Sequence, residues 1–132
     1  MFLKSLMQGE KFAFYSIAKY LVSIDGEYSA EEQNLMNGFL QEMELNESQI
    51  SHIKPEDAIE MLTFSSPSTR RKIYIELIGV TLCDEYLHDD ERKYLDRIAN
   101  DFLIDEDTRN KLFDLVTQLL NLYKSMHTLV DV

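Results

Sequence analysis

Apolar residues recur at helical spacing along almost the whole chain, and no run alternates apolar with polar as a half-buried strand would. Leu35, Met36, Phe39, Leu40 and Met43 trace one helical face. Tyr94, Leu95, Ile98, Ala99 and Phe102 trace another, and Leu112, Phe113, Val116, Leu119, Leu120 and Tyr123 a third. Two segments, Phe12 to Ile24 and Ile73 to Cys83, are apolar on nearly all sides, which places them centrally with other helices around them. Only four glycines and two prolines punctuate 132 residues, too few for the tight turns of an all-β fold. The expectation is one all-α domain over residues 1–132, a bundle of about seven helices.

Start signals divide the pattern. Ser29-Ala-Glu-Glu32 reads as a capping box, in which the serine oxygen accepts from the third helical N–H and Glu32 returns to the N–H of the cap. Asn46-Glu-Ser-Gln49 reads the same way. Pro55 and Pro67 suit first-turn positions, Ser66 can cap the helix that Pro67 opens, and Asp105 can cap the last one. The expected helices are 2–24, 29–43, 47–53, 55–63, 67–85, 89–103 and 106–126.

The segments also repeat. Residues 12–53 align with 71–112 at a constant offset without gaps. Tyr15/Tyr74, Asp25/Asp84, Glu32/Glu91 and Glu47/Glu106 are identical, and the apolar phase agrees: Met36 meets Leu95, Phe39 meets Ile98, Met43 meets Phe102, and Leu45 meets Ile104. Each half reads as apolar helix, short acidic turn, amphipathic helix. A pseudo-twofold bundle with the two apolar helices packed together is expected.

Charge is concentrated. Thirteen basic and 24 acidic residues give −11, of which residues 25–60 carry −9 and residues 84–107 carry −7, while the remainder is +5. Such a surface opposes nucleic acid and anionic membrane, both polyanions, and favours cations or a protein partner with a basic surface. Cys83, the single cysteine, cannot form an internal disulfide. Residues 1–12 lack the apolar core of a signal peptide, and the longest apolar stretch, Ile73 to Cys83, contains Glu76 and falls short of the roughly 18 residues of a membrane span. A cytoplasmic protein without membrane association is expected.

Asp25 and Asp84 stand at the ends of apolar helices, near the negative pole of the helix dipole, where a carboxylate costs about 0.3–1 kcal/mol. Either hydrogen bonds to the N–H groups of the following turn or a bound cation must offset this. Seven residues on stand Glu32 and Glu91, in the first turn of the next helix. Asp25, Glu32, Asp84 and Glu91 are therefore the candidate metal ligands, oxygen donors suited to calcium or magnesium, with zinc as a third possibility. The alternative gives the glutamates capping roles and the aspartates turn-stabilising ones. The pattern is not an EF-hand: counting from Asp25, Ala30 stands where glycine is required and Met36 where a bidentate glutamate is.

Ile24-Asp25-Gly26-Glu27-Tyr28-Ser29-Ala30-Glu31-Glu32 resembles the Asp-Gly-x-apolar-x-x-x-Glu turn of the TerB-like family, the tellurite-resistance domain also related to the N-terminal region of a DnaJ-type co-chaperone. Cys83 to Glu91 is similar to its second copy, with Glu85 where Gly26 stands in the first. The resemblance spans about residues 10–125. It implies an all-helical bundle with internal pseudo-symmetry, acidic turns suspected of binding divalent metal, and an association with stress response.

No catalytic motif is present: there is no Gly-x-Ser-x-Gly, no P-loop and no Gly-x-Gly-x-x-Gly. Cys83 ends a helix, where the dipole raises a thiol pKa, and reads as a core residue. His52, His88 and His127 lack zinc-ligand spacing, and Arg70-Arg71-Lys72 reads as a solvated first turn. The expected function is a non-enzymatic TerB-like domain, either divalent-metal-binding and stress-related or an acidic scaffold with purely structural aspartates.

Overall fold

The computed structural model describes residues 1–24, 26, 28–83 and 88–131. Among them the secondary structure is all helical. The helices are α1 (Gln8–Ser23), α2 (Ala30–Met43), α3 (Pro55–Leu62), α4 (Pro67–Leu82), α5 (Asp89–Asp101) and α6 (Glu106–Val130), with short 3-10 turns at Leu3–Ser5 and Glu47–Gln49. Seven helices were expected, and two departures have physical causes. The expected 2–24 helix starts only at Gln8, because Leu6 and Met7 are extended, at ψ 147 and 159, and Glu10 Oε1 accepts from the Met7 N–H at 2.9 Å and caps α1 there. The expected 47–53 helix is a single turn. Ile50, at ψ 123, is already extended, and seven residues are too few to sustain a helix by themselves.

The start signals work as their chemistry requires. Ser29 Oγ accepts from Glu32 N–H at 3.0 Å, Ser66 Oγ from Thr69 N–H at 3.1 Å, and Asp105 Oδ1 from Thr108 N–H at 2.7 Å. Asn46 N–H donates to Gln49 Oε1 at 2.7 Å. Gly26, at φ +77, supplies a left-handed residue just past α1.

α1 and α4 pack against each other at the centre. α1 also meets α2 and α3, α4 also meets α5 and α6, and α3 touches α5. Ala13, Phe14, Ile17, Ala18 and Leu21 of α1 are buried, as are Ile73, Tyr74, Leu77, Ile78 and Val80 of α4, on more than one face of each helix. Phe14 meets Phe39 of α2 edge to face, with centroids 5.0 Å apart.

α2 and α5 end alike. Glu44 and Leu103, which the sequence alignment pairs, both adopt φ 58. Leu45 N–H donates to Leu40 C=O at 3.0 Å and Ile104 N–H to Ala99 C=O at 2.9 Å, and Glu44 N–H and Leu103 N–H reach Gln41 and Asn100 C=O, each at 3.1 Å. This is the Schellman arrangement, which satisfies carbonyls at a helix end. The segments that follow differ: Asn46 opens one 3-10 turn, whereas Asp105, its partner in the sequence alignment, opens the 25 residues of α6.

Two assignments change. Arg70 is half-buried rather than a solvated first-turn residue. Its Nε donates to Phe102 C=O at 3.0 Å and one Nη to the carbonyls of Thr63 and Ser65 at 3.1 and 2.6 Å. Cys83 is half-buried at the end of α4 rather than a core residue.

Candidate functional site

Asp25 and Asp84 lie outside the described residues, as does Glu85. Glu32 and Glu91 occupy the third position of α2 and α5, where the positive end of the helix dipole favours a carboxylate. They are 2% and 3% exposed. A carboxylate so buried needs hydrogen bonds to remain charged. Glu32 Oε1 accepts from Ser29 N–H at 3.0 Å, completing the capping box. Glu91 Oε1 lies 3.9 Å from His88 Nε2, and His88 holds the N-cap position of α5. These oxygens are hard donors suited to calcium or magnesium. Among the described residues, no group of three or more His, Cys, Asp or Glu is gathered to hold a metal ion.

A second locus lies between α2, α4 and α6. A trough of about 490 Å³ is walled by Leu35, Phe39, Ile75, Val116, Leu119 and Tyr123. Gly38 of α2 and Gly79 of α4 line it, and a Cβ added to either would meet nothing within 4 Å. At its margin the Met1 ammonium sits 2.6 Å from Glu42 Oε1 and 3.0 Å from Glu76 Oε1. Phe2 N–H donates to Glu76 Oε1 at 2.9 Å and Leu3 N–H to Glu42 Oε2 at 2.7 Å, which seats Leu3 in the core. Burial lowers the ammonium pKa, but the hydrogen bonds and charges of the two glutamates overcome it and hold it above 8.0. Beside this trough lies a smaller one of about 150 Å³, lined by Phe2, Ile75, Leu112, Leu115 and Leu119.

Sequence reasoning did not assign this locus, although its signals were present. Glu76 interrupts an otherwise apolar run, and a lone carboxylate there calls for a partner. Gly38 and Gly79 sit inside helices, where glycine is disfavoured.

A third groove joins α1 to the 3-10 turn at Glu47, with Tyr15, Lys19, Glu47 and His52 along it. Burial, reinforced by the charge of Glu47, pushes the Tyr15 phenol up to about 12. Lys19 Nζ, 3.0 Å from Glu47 Oε1, holds that carboxyl below its ordinary value. A phenol raised in this way stays protonated near neutral pH, so the groove suits hydrogen bonding rather than proton abstraction.

No helix among the described residues is long and apolar enough to cross a membrane. Set against protein-family models, curated proteins and solved structures, the chain matches none.

Proposed function

We propose that this chain is a non-enzymatic, TerB-like binding domain whose working surface is the pair of troughs flanking α6, and that it takes up an apolar helical segment of a protein. The observation that carries this reading is the glycine floor. Glycine inside a helix costs about 0.5–1 kcal/mol relative to alanine. Neither Gly38 nor Gly79 needs a positive φ, and neither abuts an atom that would exclude a methyl group. The fold gains nothing from them, whereas an incoming backbone gains a close approach. The net −9 over residues 25–60 favours basic residues on a partner and disfavours nucleic acid. The cytoplasm is the compartment this reading assumes.

The test is a nuclear magnetic resonance titration with an amphipathic leucine–lysine helical peptide. Shifts concentrated at Leu35, Gly38, Ile75 and Gly79 are expected, and shifts that avoid the troughs would remove the reading.

A divalent-cation role at Asp25, Glu32, Asp84 and Glu91 is the second reading, with calcium, magnesium or zinc as the ion and the stress association of the TerB-like family as its setting. It is favoured by the burial of Glu32 and Glu91 at corresponding first-turn positions. The matched Schellman ends at Glu44 and Leu103 support the pseudo-twofold relation of the two halves that this reading assumes. Calorimetry with each ion, on the wild type and on Asp25→Asn/Asp84→Asn, tests it. Absence of heat from the wild type, or unchanged binding by the variant, removes it.

A further inference from the structure

α6 carries more large apolar side chains than its own packing covers. Of its 25 residues only Val116 is fully buried, Leu112, Phe113 and Leu120 are partly buried against the core, and every residue from Asn121 to Val130 is exposed. Yet Leu112, Leu115, Leu119, Leu122, Met126 and Leu129 follow one another at steps of three and four without a break. That is the a/d spacing of a coiled-coil seam, the pattern by which two helices interlock knobs into holes. Leu115, Leu122 and Met126 are more than half exposed, and Leu129 is 79% exposed.

We propose that the seam is covered by α6 of a second copy of this chain, running antiparallel. The proposal rests on the reading of the smaller trough as a docking surface and names its occupant. Three observations select a second copy. The first is register. Turned end for end about its midpoint, the seam meets itself, Leu112 opposite Leu129, Leu115 opposite Met126 and Leu119 opposite Leu122, so every a position faces a d position over roughly 27 Å of helix.

The second is charge. The chain carries −11, but residues 115–130 contain no acidic side chain, and their only basic ones are Lys124 and His127. The positions flanking the seam are Lys111, Val116, Gln118, Tyr123, Ser125 and Val130; the one charge among them, Lys111, is paired with Asp107 at 2.9 Å. Two copies of so acidic a protein repel across most of their surface, and this is the stripe where they do not. The antiparallel sense also sends the two acidic bodies to opposite ends of the helix pair.

The third is shape. The smaller trough is lined by Phe2, Ile75, Leu112, Leu115 and Leu119, the N-terminal end of the same seam. The antiparallel register brings Met126 and Leu129 of the other copy to that end, two exposed apolar side chains level with an apolar hollow.

Sedimentation equilibrium tests the proposal, over a series from about 1 to about 300 μM that brackets the micromolar dissociation constants of small interfaces. The wild type is expected to rise from 15.5 kDa toward twice that mass. Leu122→Asp/Leu129→Asp alters side chains exposed in the single chain. It is expected to stay at monomer mass with the body of the protein still folded by near-ultraviolet circular dichroism and thermal melting. A wild type that stays at monomer mass throughout overturns the second copy while leaving the peptide titration free to support the troughs, and so does a variant that dimerises as the wild type does. Orientation is read separately. In a Cys83→Ala background, Leu119→Cys and Leu122→Cys chains are mixed in a glutathione buffer. The antiparallel pair yields the mixed disulfide above chance, and an excess of like-with-like disulfides overturns the register.

Discussion

Replacing Gly38 and Gly79 together by alanine separates the needs of the fold from those of the surface. Both sit inside helices, and a Cβ at either site meets nothing within 4 Å. No steric term opposes the intrinsic preference for alanine, so each change should stabilise the protein by about 0.5–1 kcal/mol, or about 1–2 kcal/mol for the pair. At about 2.1 cal/mol/K per residue, a chain of this length has an unfolding entropy near 0.28 kcal/mol/K around 60 °C. The double variant should therefore melt about 4–7 °C higher by differential scanning calorimetry. The same two methyl groups project into the trough and should weaken the leucine–lysine peptide in the titration, so stability and binding move in opposite directions. A lower melting temperature would mean that the floor is packed rather than open. A higher one with undiminished peptide binding would show that the glycines do not serve docking.

Three further outcomes follow from single side chains. Leu103→Gly should stabilise by roughly 0.5 kcal/mol in urea denaturation: the left-handed φ costs leucine about 1–2 kcal/mol, and the freedom of glycine in the unfolded chain takes back about 0.4–1 kcal/mol. Leu103 is 80% exposed, so little burial is lost, and a net destabilisation would contradict the strain argument. Ser29→Ala should lower stability by about 1 kcal/mol by removing the N-cap of α2, and a change within error would mean that Glu32 alone sustains that helix end. Tyr15 has a raised pKa, so its contribution is complete below the ordinary value near 10 and is lost as pH climbs toward about 12. Urea melts between about pH 9 and about pH 11.5 should fall less steeply for Tyr15→Phe than for the wild type, and equal slopes would remove the linkage.

Local chemistry was readable in the sequence where it acts over three or four residues. The caps at Ser29, Ser66 and Asp105 and the central burial of α1 and α4 all follow from spacing and side-chain type. What escaped depends on residues far apart in the chain. Residues 2–7 have helical spacing, but Glu42 and Glu76 anchor the N–H groups of Phe2 and Leu3, Leu6 and Met7 are extended, and α1 begins anew at the Met7 cap. Arg70 reads as one of three solvated cations, because nothing nearby in sequence reveals that carbonyls at Thr63, Ser65 and Phe102 converge on it. At the acidic turns, the capping half of the reading is visible in Glu32, and Asp25 and Asp84 lie outside the described residues. The trough was hidden for a simpler reason: a cavity is set by three helices at once, and no single periodicity reports it.

The three carbonyls gathered by Arg70 belong to two different places, the turn between α3 and α4 and the end of α5. Helix ends ordinarily fray one at a time, each on its own local equilibrium. Here neither can open without stripping the guanidinium of acceptors and leaving the other with orphaned groups, a penalty that falls on a half-buried charge. The two ends should open as one unit, with amides around Ser65 and Leu103 exchanging hydrogen at a common rate. Lysine, with a point charge in place of a planar fork, would uncouple them even if the fold survived the exchange.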